Sequence, residues 1–126
     1  MALPLVMVLL ALLSLLLTQG LLDMAAERAL STQWQLRQSV FNAASNGIAA
    51  ALHHRPLPGA ALPPPATVLS AEAQAQVLWI DHGYTTAVGY SADLYRAHQL
   101  QLQSTGTAAR GAALQLDVGL QQLEPP

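Results

Sequence analysis

The sequence predicts an α+β chain in which one long N-terminal helix precedes, and packs on, a small antiparallel sheet. Three observations lead there. The uncharged run Ala2 to Leu22 passes into an amphipathic run ending near Leu52 with no proline after Pro4. Five prolines between Pro56 and Pro65 then separate this half from the remainder. Beyond residue 75 the apolar period changes from helical spacing to strict alternation, the signature of strands.

Residues 1–22 form the first segment. Leu, Val, Met and Ala fill most of it. About 20 residues rising 1.5 Å each span about 30 Å, the thickness of a bilayer's hydrocarbon core. A lone segment in lipid must satisfy its own backbone, so it is helical there. Pro4 falls in the first turn, where no hydrogen bond is lost. Ser14 and Thr18 can bond back to the preceding turn, and Gly20 is the expected point of bending. A secretory signal has a basic start and a shorter apolar core, whereas no Lys or Arg precedes Arg28 here. A chain of 126 residues is also too short to wrap a helix that is apolar on every side. The segment therefore reads as a membrane anchor.

Residues 23–55 continue the same helix. Asp23, Glu27 and Arg28 mark its exit into water. Leu30, Trp34, Phe41, Ile48 and Leu52, with Ala44 and Ala51 between them, recur at helical spacing and predict one apolar stripe, opposite Gln33, Arg37, Ser39, Asn42 and Ser45. Gly47 costs about 1 kcal/mol of helix propensity. His53, His54 and Arg55 suit a helix C-terminus, and Pro56 ends the run.

Residues 56–75 read as a Pro-rich connector, a stiff spacer rather than a ligand for a proline-binding module, with a short helical turn within Ala66 to Ala75. Residues 76–126 read as the sheet. Gln76 to Ile80 is a short strand bounded by an Asp81-His82-Gly83 turn, and Tyr84 to Tyr90 continues it or forms a second strand. Leu100 and Leu102 alternate with Gln99, Gln101 and Gln103; Leu114, Leu116, Val118 and Leu120 alternate with Gln115, Asp117 and Gln121. Such alternation means one covered face. Residues 104–111 are polar and Gly-bearing, as a hairpin connection requires. The helix stripe and the sheet face are the obvious partners. The expected helix–sheet core is Leu30, Trp34, Phe41, Ile48, Leu52, Trp79, Leu100, Leu102, Leu114, Leu116 and Val118.

Composition narrows the function. The chain is 52% hydrophobic and only 10% charged, with a net charge of −2, so it offers no basic field for nucleic acid. It lacks Cys, which removes disulfides and thiolate metal sites. Of the four His, at 53, 54, 82 and 98, the adjacent pair cannot share a helix face and none has metal-ligand spacing. Asp81-His82-Gly83 is a turn before it is an acid–base pair. No nucleophile elbow or glycine-rich phosphate loop is present, and Trp34 and Trp79 read as core rather than a ligand platform. No catalytic residue, metal or cofactor is expected, and the chain does not read as an enzyme.

The opening Met1-Ala2-Leu3-Pro4-Leu5-Val6-Met7-Val8-Leu9-Leu10 and the segment Arg37-Gln38-Ser39-Val40-Phe41-Asn42-Ala43-Ala44 carry a resemblance. So do Tyr95-Arg96, Ser104-Thr105-Gly106 and Arg110-Gly111-Ala112 near the other end. Together, in this order, they resemble type IV pilin-like proteins, more closely the PilX-like minor pilins of bacterial type IV pili. Precursors of that family begin with a basic leader ending in Gly that a prepilin peptidase removes. Met1 is thus expected to be the first residue of a processed chain, or a start assigned downstream of the leader codons. Counted from Met1, this chain has Leu5 where major pilins carry a Glu, which points to a minor, initiating or tip-located subunit.

The resemblance implies assembly without chemistry, with methylation as an accompanying modification. Its expected partners are other minor pilins and the major pilin, the inner membrane, the pilus assembly platform and, on the precursor, the peptidase. The globular part would lie in the periplasm, and in the pilus, at its tip or base, after assembly. Close helix packing is expected at Ala2, Leu5, Val8, Ala11, Ser14, Thr18 and Gly20, because exchanging lipid for protein gains little hydrophobic free energy. Two alternatives stay open: a type II secretion pseudopilin, and a generic single-span protein with a small extracytoplasmic scaffold or sensor domain. An anchor joined flexibly to such a domain would break near Leu22.

Overall fold

The computed structural model describes residues 2–89 and 94–125. Helix α1 runs unbroken from Ala2 to His53. Strands β1 (Ala66–Leu69), β2 (Ala73–Thr86), β3 (Arg96–Ala108) and β4 (Ala113–Glu124) follow, with a short 3₁₀ turn, Ala109–Gly111, before the last. The fold is α+β, a 52-residue apolar helix with a four-stranded antiparallel sheet of order β1-β2-β3-β4. The chain divides into two units, residues 1–35 and 36–126. The first holds the apolar stretch of α1 and its charged exit at Asp23, Glu27 and Arg28, and the second holds the sheet and the part of α1 that packs on it.

In the second unit, α1 turns its smallest side chains to the sheet. Val40, Ala43, Ala44 and Gly47 are buried, and Ile48 and Ala51 pack on the cluster of Val77, Trp79, Leu100 and Leu102. These positions follow the i, i+3, i+4, i+7 rule, but on a face rotated from the expected one. Phe41 is 49% exposed and Leu52 36%, while Leu30 and Trp34 lie in the first unit and are exposed. Of the large helix residues expected in the core, Ile48 alone lies beside it, while Ala44 and Ala51 of the expected stripe do meet the sheet. Close approach explains the rotation. A Cβ on Gly106 would stand 2.6 Å from the Val40 carbonyl oxygen, and one on Gly47 would stand 2.9 Å from Ser104 Oγ and Val77 Cγ2. Ser104, fully buried, donates its hydroxyl to the Ala44 carbonyl at 2.9 Å. At Gly47 and Gly106 so close an approach leaves no room for a large helix side chain.

Register fixes the faces of the sheet. Trp79 pairs with Leu102, and Leu102 with Val118; Val77 pairs with Ser104, and Ser104 with Leu116. Trp79, Leu100 and Leu102 are buried as expected, but Leu116 and Val118 are only half-buried and Leu114 is 37% exposed. One helix about 10 Å across covers two or three strands spaced about 4.8 Å, and β4 is the edge. Gln74, Gln76, Gln101, Gln103 and Gln115 occupy the opposite face by the same alternation.

Three local expectations change. Ala66 to Ala75 holds β1 and the start of β2 instead of a helical turn, because Ala66 to Leu69 pair with Val77 to Gln74. Asp81-His82-Gly83 does not reverse the chain. It is a bulge within β2, with Gly83 at φ 82° and its N–H donating to Asp81 Oδ1 at 2.7 Å. Ser104 to Ala108 belong to β3, so the β3–β4 connection shrinks to residues 109–112. β2 ends at Thr86; of the expected continuation to Tyr90, the last residue lies outside the described residues, as does Met1. The connector is also tied to the core, since Leu62 packs on it and Pro63 and Pro64 help line a small apolar cavity of about 140 Å³ beside Trp79.

If the helix–sheet gap is set by Gly106, adding one methyl there is an overpacking change of about 1–3 kcal/mol. Gly106→Ala is expected to lower the denaturant midpoint of the sheet's circular-dichroism signal, whereas Gly119→Ala, where a Cβ meets nothing within 4 Å, leaves it close to the native value.

Candidate assembly surface

From Ala2 to Leu22 the helix presents an apolar surface on every side. Its most apolar 18-residue window has a mean hydropathy of 2.5, and none of that window is buried. Leu3, Leu5, Leu10, Leu16 and Leu22 each expose more than half their surface. Water is a poor environment for such a surface, since each Leu left exposed forgoes about 1.5–3 kcal/mol. The helix is long and apolar enough to cross a membrane. A buried core helix would pass the same length and composition test but would not be bare.

The expected packing positions all belong to this surface. Ala2, Leu5, Val8, Ala11, Ser14, Thr18 and Gly20 are exposed. The Thr18 hydroxyl donates to the Ser14 carbonyl at 2.8 Å, so its polar group is satisfied within the helix. α1 continues through Gly20 as helix, and a Cβ there would meet nothing within 4 Å. These positions are exposed, and at Gly20 added bulk meets no other part of the chain.

The sheet-bearing unit offers a second surface. β4 is a 12-residue edge strand, and Phe41 and Leu114 are half exposed beside it. With Arg37, Val40 and the turn at Gly111–Ala113 they line an open groove of about 660 Å³. A long edge of this kind is a template for a neighbouring chain.

A third feature joins residues that the sequence keeps far apart. His98 Nε2 lies 2.8 Å from Asp81 Oδ1, and Nδ1 lies 3.4 Å from Glu124 Oε1. Tyr84 donates its hydroxyl to Glu124 Oε2 at 3.1 Å and stacks its ring on the imidazole, centroids 4.5 Å apart. Glu124 is buried and the His98 side chain is 13% exposed. Alternation held a sign of this cluster. His98 shares its face with Leu100 and Leu102, and Glu124 with Leu114 to Leu120, so each is a polar residue on an apolar face. His82, the extra residue of the bulge, instead meets Gln101 Oε1 at 2.7 Å, and His53 and His54 pack edge to face. Among the described residues, no three His, Asp or Glu are placed to hold a metal ion.

No family model, curated protein or solved structure matches the chain.

Placing one charge in the apolar half separates an anchor from a surface helix. Arg at the centre of a spanning helix costs about 2.5–3.5 kcal/mol on insertion scales. Leu12→Arg is expected to shift the chain from the carbonate-resistant membrane pellet to the supernatant, while Leu57→Arg, at an exposed connector position, leaves it in the pellet.

Proposed function

We propose that the chain is a minor pilin of a type IV pilus, a membrane-held subunit that takes part in initiating or assembling the filament through helix packing. The observation that carries this reading is the continuity of α1. One helix runs from an apolar half bare on every side to a half that packs on a small antiparallel sheet. A sensor or scaffold domain tethered by a simple anchor has no need of an unbroken helix across the point where the anchor ends near Leu22. The order of the opening apolar stretch, the Arg37–Ala44 segment and the closing strands adds the resemblance to the PilX-like proteins.

The mechanism is an exchange of neighbours. Before assembly, lipid covers Ala2 to Leu22 and the sheet-bearing unit stands in the periplasm. On incorporation, helices of the major pilin and other minor pilins replace the lipid. Lipid and protein are similarly apolar, so affinity comes from shape, with close approach at Ala11, Ser14 and Gly20. The β4 edge and the groove at Phe41 and Leu114 choose neighbours in the filament.

A Cβ at Gly20 meets open space and Ala11 is exposed, so Gly20→Leu and Ala11→Leu are both expected to fold, insert and accumulate normally yet appear in sheared pili at reduced levels. Wild-type incorporation of both would overturn helix packing as the basis of assembly. A peptidase-dependent mobility shift of the natural gene product tests the family reading separately, and its absence would leave a membrane-anchored α+β domain.

A further inference from the structure

The apolar cluster under α1 ends at Trp79 and Leu100, and the same sheet face continues with Asp81, Tyr84, His98 and Glu124. Three strands meet there: β2 supplies Asp81 and Tyr84, β3 His98, and β4 Glu124. Both ring nitrogens of His98 face carboxylate oxygens, which accept and cannot donate when ionised. A neutral imidazole has one N–H, so one of these contacts would set a lone pair against a carboxylate. The imidazolium alone donates to both, Nε2–H to Asp81 and Nδ1–H to Glu124. The Tyr84 face stacked at 17° adds a cation–π contact that also favours the charged ring.

We propose that His98 is a pH-sensitive clamp that, as the imidazolium, fastens β2 and β4 to β3 at this end of the sheet and releases the end of β4 when it loses its proton. The device stands on the sheet geometry alone and does not depend on the pilin reading. Release begins at Glu124, the longer of the two contacts, which the Tyr84 hydroxyl continues to bond. Among the described residues, the groups facing the clamp are Asp81 and Tyr84 from β2, Glu124 from β4 and Arg96 on β3 itself, with His82 beside Asp81. Arg96 favours the Tyr84 phenolate, but the bond to Glu124 dominates and raises the phenol above its usual range.

The pH window follows from the two partners. Burial opposes the charge on His98, but the bonds to Asp81 and Glu124 outweigh it and lift its pKa above the ordinary 6.5. Folding therefore favours the protonated ring. The clamp is complete below about 6.5 and is lost as pH rises through the raised value. Asp81 is held below its ordinary 3.8, first by the Gly83 N–H and then by His98, so on the acid side the Asp81 contact is lost as pH falls through that lowered value.

Hydrogen exchange of the full chain in detergent micelles, corrected for the intrinsic rate, reads the clamp directly. Between about pH 5.5 and about pH 8.5, protection of amides 84–86, 97–99 and 121–123 is expected to fall about tenfold relative to amides 75–78 and 102–104. His98→Gln, which carries no titrating ring, is expected to abolish that pH dependence. Glu124→Gln, which keeps the shape and removes one carboxylate, is expected to move the midpoint to lower pH. A native ratio that does not change with pH, or a His98→Gln chain that keeps the native profile, would overturn the proposal. Should His98→Gln fail to fold, an unmoved midpoint in Glu124→Gln would overturn it equally.

Discussion

The fold of the sheet-bearing unit depends on how closely α1 lies on β2 and β3. Two glycines mark the contact, Gly47 on the helix and Gly106 on β3, and at each a single added carbon would collide with the opposite element. The Val40 carbonyl and the Ser104 hydroxyl bond to Ala44 show backbone, rather than long side chains, at the interface. That separation decides which residues are core. On the helix, Val40, Ala43 and Ala44 fit against the sheet; Phe41, one position round, does not. The helix propensity lost at Gly47 is offset by the packing that its missing side chain permits.

The two ends of α1 use one backbone in different surroundings. From Ala2 to Leu22 the helix is apolar all round, and a Cβ on Gly20 would meet nothing within 4 Å. In the sheet-bearing unit, small residues touch a sheet and define a close-packed layer. Small residues thus mean contact in one case and readiness for contact in the other.

The sheet closes differently at its far end. Apolar cover ends at Trp79 and Leu100, and an ion-paired cluster takes over on the same face. The bulge at His82 keeps Asp81 and Tyr84 on one side, in reach of His98, while turning His82 toward Gln101. A charged histidine between two carboxylates is a satisfied polar network at a site where apolar packing has run out, and it makes the strand ends sensitive to protons in a way that the core is not.

Periodicity alone determined the α+β class, the span of the long helix, the alternating strands and the apolar, uncharged character of Ala2 to Leu22, because each rests on local patterns that the backbone must obey. Burial of Trp79, Leu100 and Leu102 was legible for the same reason. The helix face that meets the sheet was legible only in part, at Ala44, Ile48 and Ala51, since size-weighted hydrophobicity favours Leu30, Trp34 and Phe41, and only the distance of approach selects Val40, Ala43 and Gly47. The bulge at Asp81–Gly83, the pairing of Ala66–Leu69 as a strand and the half-exposed state of Leu114 likewise follow from register and edge position. The His98 cluster needed tertiary structure most, because its members lie on three strands and meet only when pairing brings those strands together.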